Sequence, residues 1–190
     1  MMRTRAILAI GFACAVLGGA GAIALVTDRT PAAHSATAKT AKPSWTEVQW
    51  PFPMDEWGQG KAFRCTALDC GVEANLYVRA KIGFCNCATG VADDEELDRL
   101  TDFRLMGDKV VAVGAGRSVD VAWMKGRSRA YLGASDRGGS ALAVAFNDRC
   151  DAIVATVVVA SSRPLVMENS ALAFLNGPTI RRWAEVTLGL

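Results

Sequence analysis

The chain has 190 residues, about half of them apolar, and a net charge of +2 from 21 basic and 19 acidic side chains. That length suits one domain with accessory segments, and the near-balance of charge leaves no field to gather nucleic acid, which is not an expected partner. A single histidine, His34, excludes Ser-His-Asp and Cys-His hydrolysis, histidine-bound haem and three-histidine zinc, so no catalytic centre and no cofactor is expected.

In chain order, Arg3 and Arg5 precede an uncharged run over residues 6–26. Twenty-one residues are enough to span a bilayer, and basic residues on the N-terminal side keep that end cytoplasmic. Ala20-Gly21-Ala22 also fits a signal-cleavage site, so a removed secretory signal is the alternative. Apolar residues 23–26 beyond that site favour the retained anchor. Cys14, inside the run, reads as a small helix residue. Residues 27–44 are small, polar and proline-marked, which is the composition of a flexible tether. The expected organisation is therefore an anchor or signal over 1–26, a linker over 27–44, and an exported domain over 45–190. Its expected place is a bacterial-type inner membrane, single-pass, with the domain in the periplasm, or the periplasm itself after cleavage. The membrane is met through residues 6–26, and another membrane or periplasmic protein is the remaining candidate partner.

Three of the five tryptophans follow within 13 residues. Trp45, Trp50, Phe52 and Trp57 share that stretch with Pro51 and Pro53, which fix φ and remove donors, so it is neither a central strand nor a long helix. An extended segment laid over the domain is expected. Its aromatics either cap an open part of the sheet or present a sticky surface to a partner protein or membrane interface.

Residues 71–83 carry the clearest period in the chain. Val72, Ala74, Leu76, Val78, Ala80 and Ile82 alternate with Glu73, Asn75, Tyr77, Arg79 and Lys81, which predicts a strand with one buried and one wet face. Sheets solvated on one face are usually antiparallel. Asp93, with Glu96 three residues later, opens a helix that ends near residues 103–105. The acids there lack the spacing of a calcium loop. Strand-like runs follow at 109–113, 119–124, 128–132, 141–146 and 152–160. Turns are expected at Gly114-Ala115-Gly116, Lys125-Gly126-Arg127, residues 136–139 and Asn147-Asp148. Gly114-Ala115-Gly116 is no phosphate loop, because neither Lys-Ser/Thr nor a helix follows it. Lys125, Arg127 and Arg129 would then crowd a hairpin tip, solvated or facing an anionic partner. Two short helices, 170–175 and 179–188, close the chain around Gly177-Pro178.

Four of the six cysteines, Cys65, Cys70, Cys85 and Cys87, fall within 23 residues, and Cys150 stands alone. Structural disulfides suit an oxidising compartment. The rival accounts are a thiolate site for zinc or copper(I), whose spacings fit poorly, and a thiol-transfer centre, which lacks Cys-x-x-Cys. Five exported cysteines leave one unpaired, and Cys150, beside a buried-looking strand, is the first choice for a plain buried thiol. Two pairings compete. Joining Cys65 or Cys70 to Cys85 or Cys87 would require the long strand to bend, since a straight one holds its ends about 40 Å apart. Joining Cys65 to Cys70 across a short turn, with Cys85 or Cys87 reaching Cys150, leaves that strand straight and is preferred.

The expected fold is α+β: an antiparallel sheet of five to seven strands with helices on one face. The expected function is a non-catalytic, membrane-anchored, disulfide-stabilised accessory or binding module. A thiol- or copper-handling protein built on Cys65, Cys70, Cys85 and Cys87 is the alternative.

Overall fold

The alternation over 71–83 becomes a strand because every second side chain meets the same apolar layer. In the computed structural model, which describes residues 43–105, 110–133 and 139–190, that strand is β3 (Ala74–Lys81). Ala74, Leu76 and Val78 are fully buried along it. It lies inside a seven-stranded antiparallel sheet with β1 (Thr46–Val48), β2 (Lys61–Cys65), β4 (Val110–Val121), β5 (Met124–Gly133), β6 (Ser140–Asp148) and β7 (Asp151–Val159). The order is β1-β2-β3-β7-β6-β5-β4, so β3 and β7 are neighbours and β1 and β4 are the two edges. Strands β4 to β7 form a meander, and the crossover from β3 to the far edge carries helix α2 (Asp94–Leu100).

Each face has its own core. Leu142, Val144 and Phe146 of β6 join Leu76, Ile153 and Val157 in one cluster, under α3 (Glu168–Leu175) and α4 (Pro178–Thr187). Ala143 and Ala145 point the other way, into a cluster with Leu97 and Leu100 of α2. Helices therefore cover both faces, which corrects the one-face expectation. The alternating residues of β6 are nearly all apolar, so both faces of the sheet centre must be shielded from water.

Local signals set the element ends. Asp93 caps α2, its side chain accepting from the Glu96 N–H at 2.8 Å. Pro178 opens α4. Helix α1 (Ala67–Cys70) is a single turn between β2 and β3, capped by the Thr66 hydroxyl and ended by Gly71 at φ 74°.

Two expected turns are not turns. Gly114-Ala115-Gly116 is an irregularity within β4, where the register shifts between Val113 and Arg117. Gly126 lies in β5 opposite Phe146. The β4–β5 reversal is made by Ala122 and Trp123, with Ala122 at φ 53°. The side chain of Asn176 holds it there, accepting from the Ala122 N–H and donating to the Asp120 carbonyl. Among the described residues no helix is long and apolar enough to cross a membrane. The expected span over 6–26, Cys14, His34 and the linker up to residue 42 lie outside them.

Candidate functional site

Among the described residues two disulfides form, and they follow the preferred pairing. Cys65 joins Cys70 across the single turn of α1, with Cα atoms 5.9 Å apart. Cys87 joins Cys150, tying the loop after β3 to the β6–β7 turn. Cys85 is the buried free thiol. Cys150 is thus bridged, against the expectation of a simple thiol, because the two-residue β6–β7 turn carries it outward to the loop. The four clustered cysteines do not converge on one site. One pair sits at the Ala74 end of β3 and the other beyond its Lys81 end, separated by a strand of roughly 25 Å. That separation removes the four-thiolate basis of the thiol or copper alternative.

The aromatic lead-in pairs with the sheet and then folds across it. Residues 46–48 form edge strand β1 on β2. Trp45 reaches the α3 side and stacks on Phe174 at 5.5 Å. The following segment runs along the opposite face of β3, beside every second residue. Trp50 and Phe52 pack edge-on against Tyr77 at 6.0 and 4.8 Å. Asp55 grips Arg79, and Trp57 stands over Lys81. This strap covers the expected wet face over Tyr77, Arg79 and Lys81, and Glu73 stays exposed. All four aromatics are half-buried, each packing on its own domain while part of its surface remains exposed.

Beneath the strap lies a cluster of ionised side chains. The Arg79 guanidinium donates two bonds to Asp102, from Nε at 2.6 Å and Nη2 at 2.7 Å. Its Nη1 faces both oxygens of Asp55, at 2.7 and 2.8 Å. Burial alone would lower the Arg79 pKa, but hydrogen bonds to the two aspartates outweigh it and raise it. Lys81 donates to the Leu100 carbonyl at 2.7 Å and pairs with Asp102 at 2.9 Å. Its ammonium sits 5.3 Å from the Trp57 ring and 5.7 Å from Phe84. Arg79, Lys81 and Asp102 are all buried, whereas the Asp55 side chain is 33% exposed. The Arg79 guanidinium holds the Asp55 carboxyl below the usual range, against the opposing effect of burial.

Beside this cluster is a cavity of about 400 Å³ walled by Trp57, Phe84 and Phe103, with Arg99 and Arg104 among its lining residues. Arg99 stacks on Phe84 at 4.5 Å and is held by Glu96. A volume of that size accepts a side chain or a small molecule. The recognisable chemistry is a paired-cation floor, aromatic walls and two strap carboxylates, Asp55 and Glu56, on the lining. Asp55, Arg79, Lys81 and Asp102 were not among the sequence-expected site residues. The carboxylates that meet Arg79 come from segments 24 and 23 residues away, so no local pattern marks them.

The cations expected at a hairpin tip stand instead along β5, where their spacing puts them on one face toward α2. Arg127 pairs with Asp94 at 2.5 Å, and Arg129 with Asp98 at 2.9 Å. The Tyr131 hydroxyl also donates to Asp98. Lys125 pairs with Asp120 at 2.5 Å. Carboxylates of this same chain therefore meet the basic stripe, and an anionic partner is not needed to balance it. Among the described residues no three cysteine, histidine or carboxylate side chains gather as a metal-holding group. No protein-family model and no curated protein matches this chain.

Proposed function

We propose that the chain is an exported, membrane-anchored binding module without catalytic activity, stapled by two disulfides, and that its binding site is the cavity over Arg79 and Lys81. Export is supported by the bridges, since such bonds persist in oxidising compartments, and by the basic-then-apolar N-terminus. The anchor is tested by N-terminal sequencing of protein taken from membranes. A start at Met1 or Met2 supports retention, and a start near Ile23 identifies a cleaved signal.

The observation that carries the binding reading is the pair formed by Asp55 and Arg79. Asp102 takes one edge of the guanidinium in full burial. The remaining nitrogen, Nη1, is held by a carboxylate that belongs to the strap and remains one-third exposed. Asp55 thus stands in for a ligand carboxylate. An incoming carboxylate, such as an acidic side chain of a membrane or periplasmic protein, would take the same two oxygen positions. Its body would rest on Trp57 and Phe103, and Arg104 would face it from the rim. Guanidinium favours such planar two-oxygen partners.

Titration of the isotope-labelled protein with benzoate and, separately, acetate tests this reading by NMR. The expected result is saturable shifts confined to the Trp57 indole and to the amides around residues 79–84 and 99–104, larger with benzoate. Shifts absent there, or spread evenly over surface arginines, would refute it.

A further inference from the structure

The free thiol lies beside a disulfide. The Cys85 N–H donates to the Cys150 carbonyl at 3.2 Å, and the Cys85 thiol donates to the Arg149 carbonyl at 3.2 Å. Neither residue lies in a strand, but one backbone N–H···O bond still holds the two Cα atoms to about 5–6 Å, within the range a disulfide spans. Cys150 is therefore bridged to Cys87 and has the unbound Cys85 as its backbone hydrogen-bond neighbour. Their exposures differ: Cys87 is exposed, Cys150 half-buried and Cys85 buried.

We propose that Cys85 exchanges with Cys87 for Cys150 and so turns a closed surface bridge into a reactive surface thiol. The Cys85 thiol first loses its proton to solvent. The thiolate attacks the Cys150 sulfur, forming the Cys85–Cys150 bond as the Cys87–Cys150 bond breaks. Cys87 departs with the electron pair as a thiolate and can be reprotonated. The number of disulfides is unchanged, so neither oxidant nor reductant is consumed. The freed Cys87 then takes a disulfide-bearing partner: Cys87 bonds one sulfur of the partner, and the other sulfur leaves as a thiolate. This site adjoins the cavity over Arg79, with Arg99 near both, but the exchange needs no ligand in that cavity.

Burial raises the Cys85 pKa first, with Glu96 of α2 and Asp151 of β7 adding to it and Arg99 of α2 opposing. Only the thiolate attacks, so the exchange is slow at neutral pH. The exchange should accelerate about tenfold per pH unit while the pH stays below that pKa.

The test treats the full-length native protein with dithiobis(nitrobenzoate) over a pH series, quenches in acid and maps the disulfides by peptide. The expected product carries the mixed disulfide on Cys87, with Cys85 joined to Cys150, at a rate that climbs with pH. A mixed disulfide on Cys85 with the Cys87–Cys150 bridge intact would overturn the proposal. So would a domain that reacts only after unfolding. A Cys87→Ser variant gives an independent reading: a Cys85–Cys150 bridge is expected, and two free thiols in the folded variant would contradict it. Should that variant fail to fold, the wild-type map decides alone.

Discussion

Arg79 and Asp102 meet through two parallel hydrogen bonds, Nε to Oδ2 at 2.6 Å and Nη2 to Oδ1 at 2.7 Å, across 23 residues of sequence. The pair ties the segment after α2 to the middle of the sheet, and Lys81 shares the same carboxylate. Asp102 is thus shared by two buried cations, and Asp55 supplies the second negative charge.

Asp102→Ala leaves both cations in the interior, with Asp55 still paired to Arg79 and Lys81 without its carboxylate partner. Breaking a buried ion pair by removing one partner costs about 3–5 kcal/mol. Denaturant unfolding should show a loss of that order, and Asp55→Ala should cost clearly less because its side chain is one-third exposed. Equal losses would contradict this, since the strap pair would then contribute as much as the interior pair.

Acid should weaken the strap and the α2–β5 seam together. Asp55 is lowered chiefly by its bond to Arg79, and Asp94 chiefly by the Gly116 N–H and then Arg127. A carboxyl lowered in the folded state stabilises fully above its unfolded pKa of about 4 and loses that contribution as pH falls through the folded value. Thermal stability should therefore hold above pH 5 and decline below pH 4 (roughly). In Asp94→Asn the decline should be shallower, which a melting series from neutral to acid pH reads directly.

The two bridges should differ in worth. Cys65 and Cys70 are 5 residues apart, whereas Cys87 and Cys150 are 63 apart. Chain-entropy reasoning assigns about 2 kcal/mol to the short closure and about 4 kcal/mol to the long one. Paired Cys→Ala variants of each bridge should melt in that order, with Cys87→Ala/Cys150→Ala the less stable.

The legible parts of the fold were those written in local pattern. The alternation around Leu76 and Val78, the Asp93 cap and Pro178 each depend on neighbours within a turn, and each stands as read. The pairing of Cys65 with Cys70, and of a downstream cysteine with Cys150, followed from keeping β3 straight. Elements governed by cross-strand contact were less legible. Gly126 looks like a turn residue, yet it is glycine because a Cβ there would lie 2.2 Å from the Ala145 carbonyl oxygen. Arg79 and Lys81 look like a wet face. They are buried because the strap and residues 100–102, distant in sequence, supply Asp55, the Leu100 carbonyl and Asp102. Nothing within a few residues of Arg79 announces those partners, so the candidate site emerged only from the tertiary arrangement.

The central claim is that Asp55 occupies a carboxylate-binding position on Arg79. The most direct measurement compares benzoate affinity in the native protein and in Asp55→Asn, followed at the Trp57 indole, with melting curves confirming that both are folded. Asparagine keeps the shape and loses the charge that competes for the guanidinium. The account expects Asp55→Asn to bind benzoate several-fold more tightly at the same site. Equal affinity, or weaker binding in the variant, would contradict it.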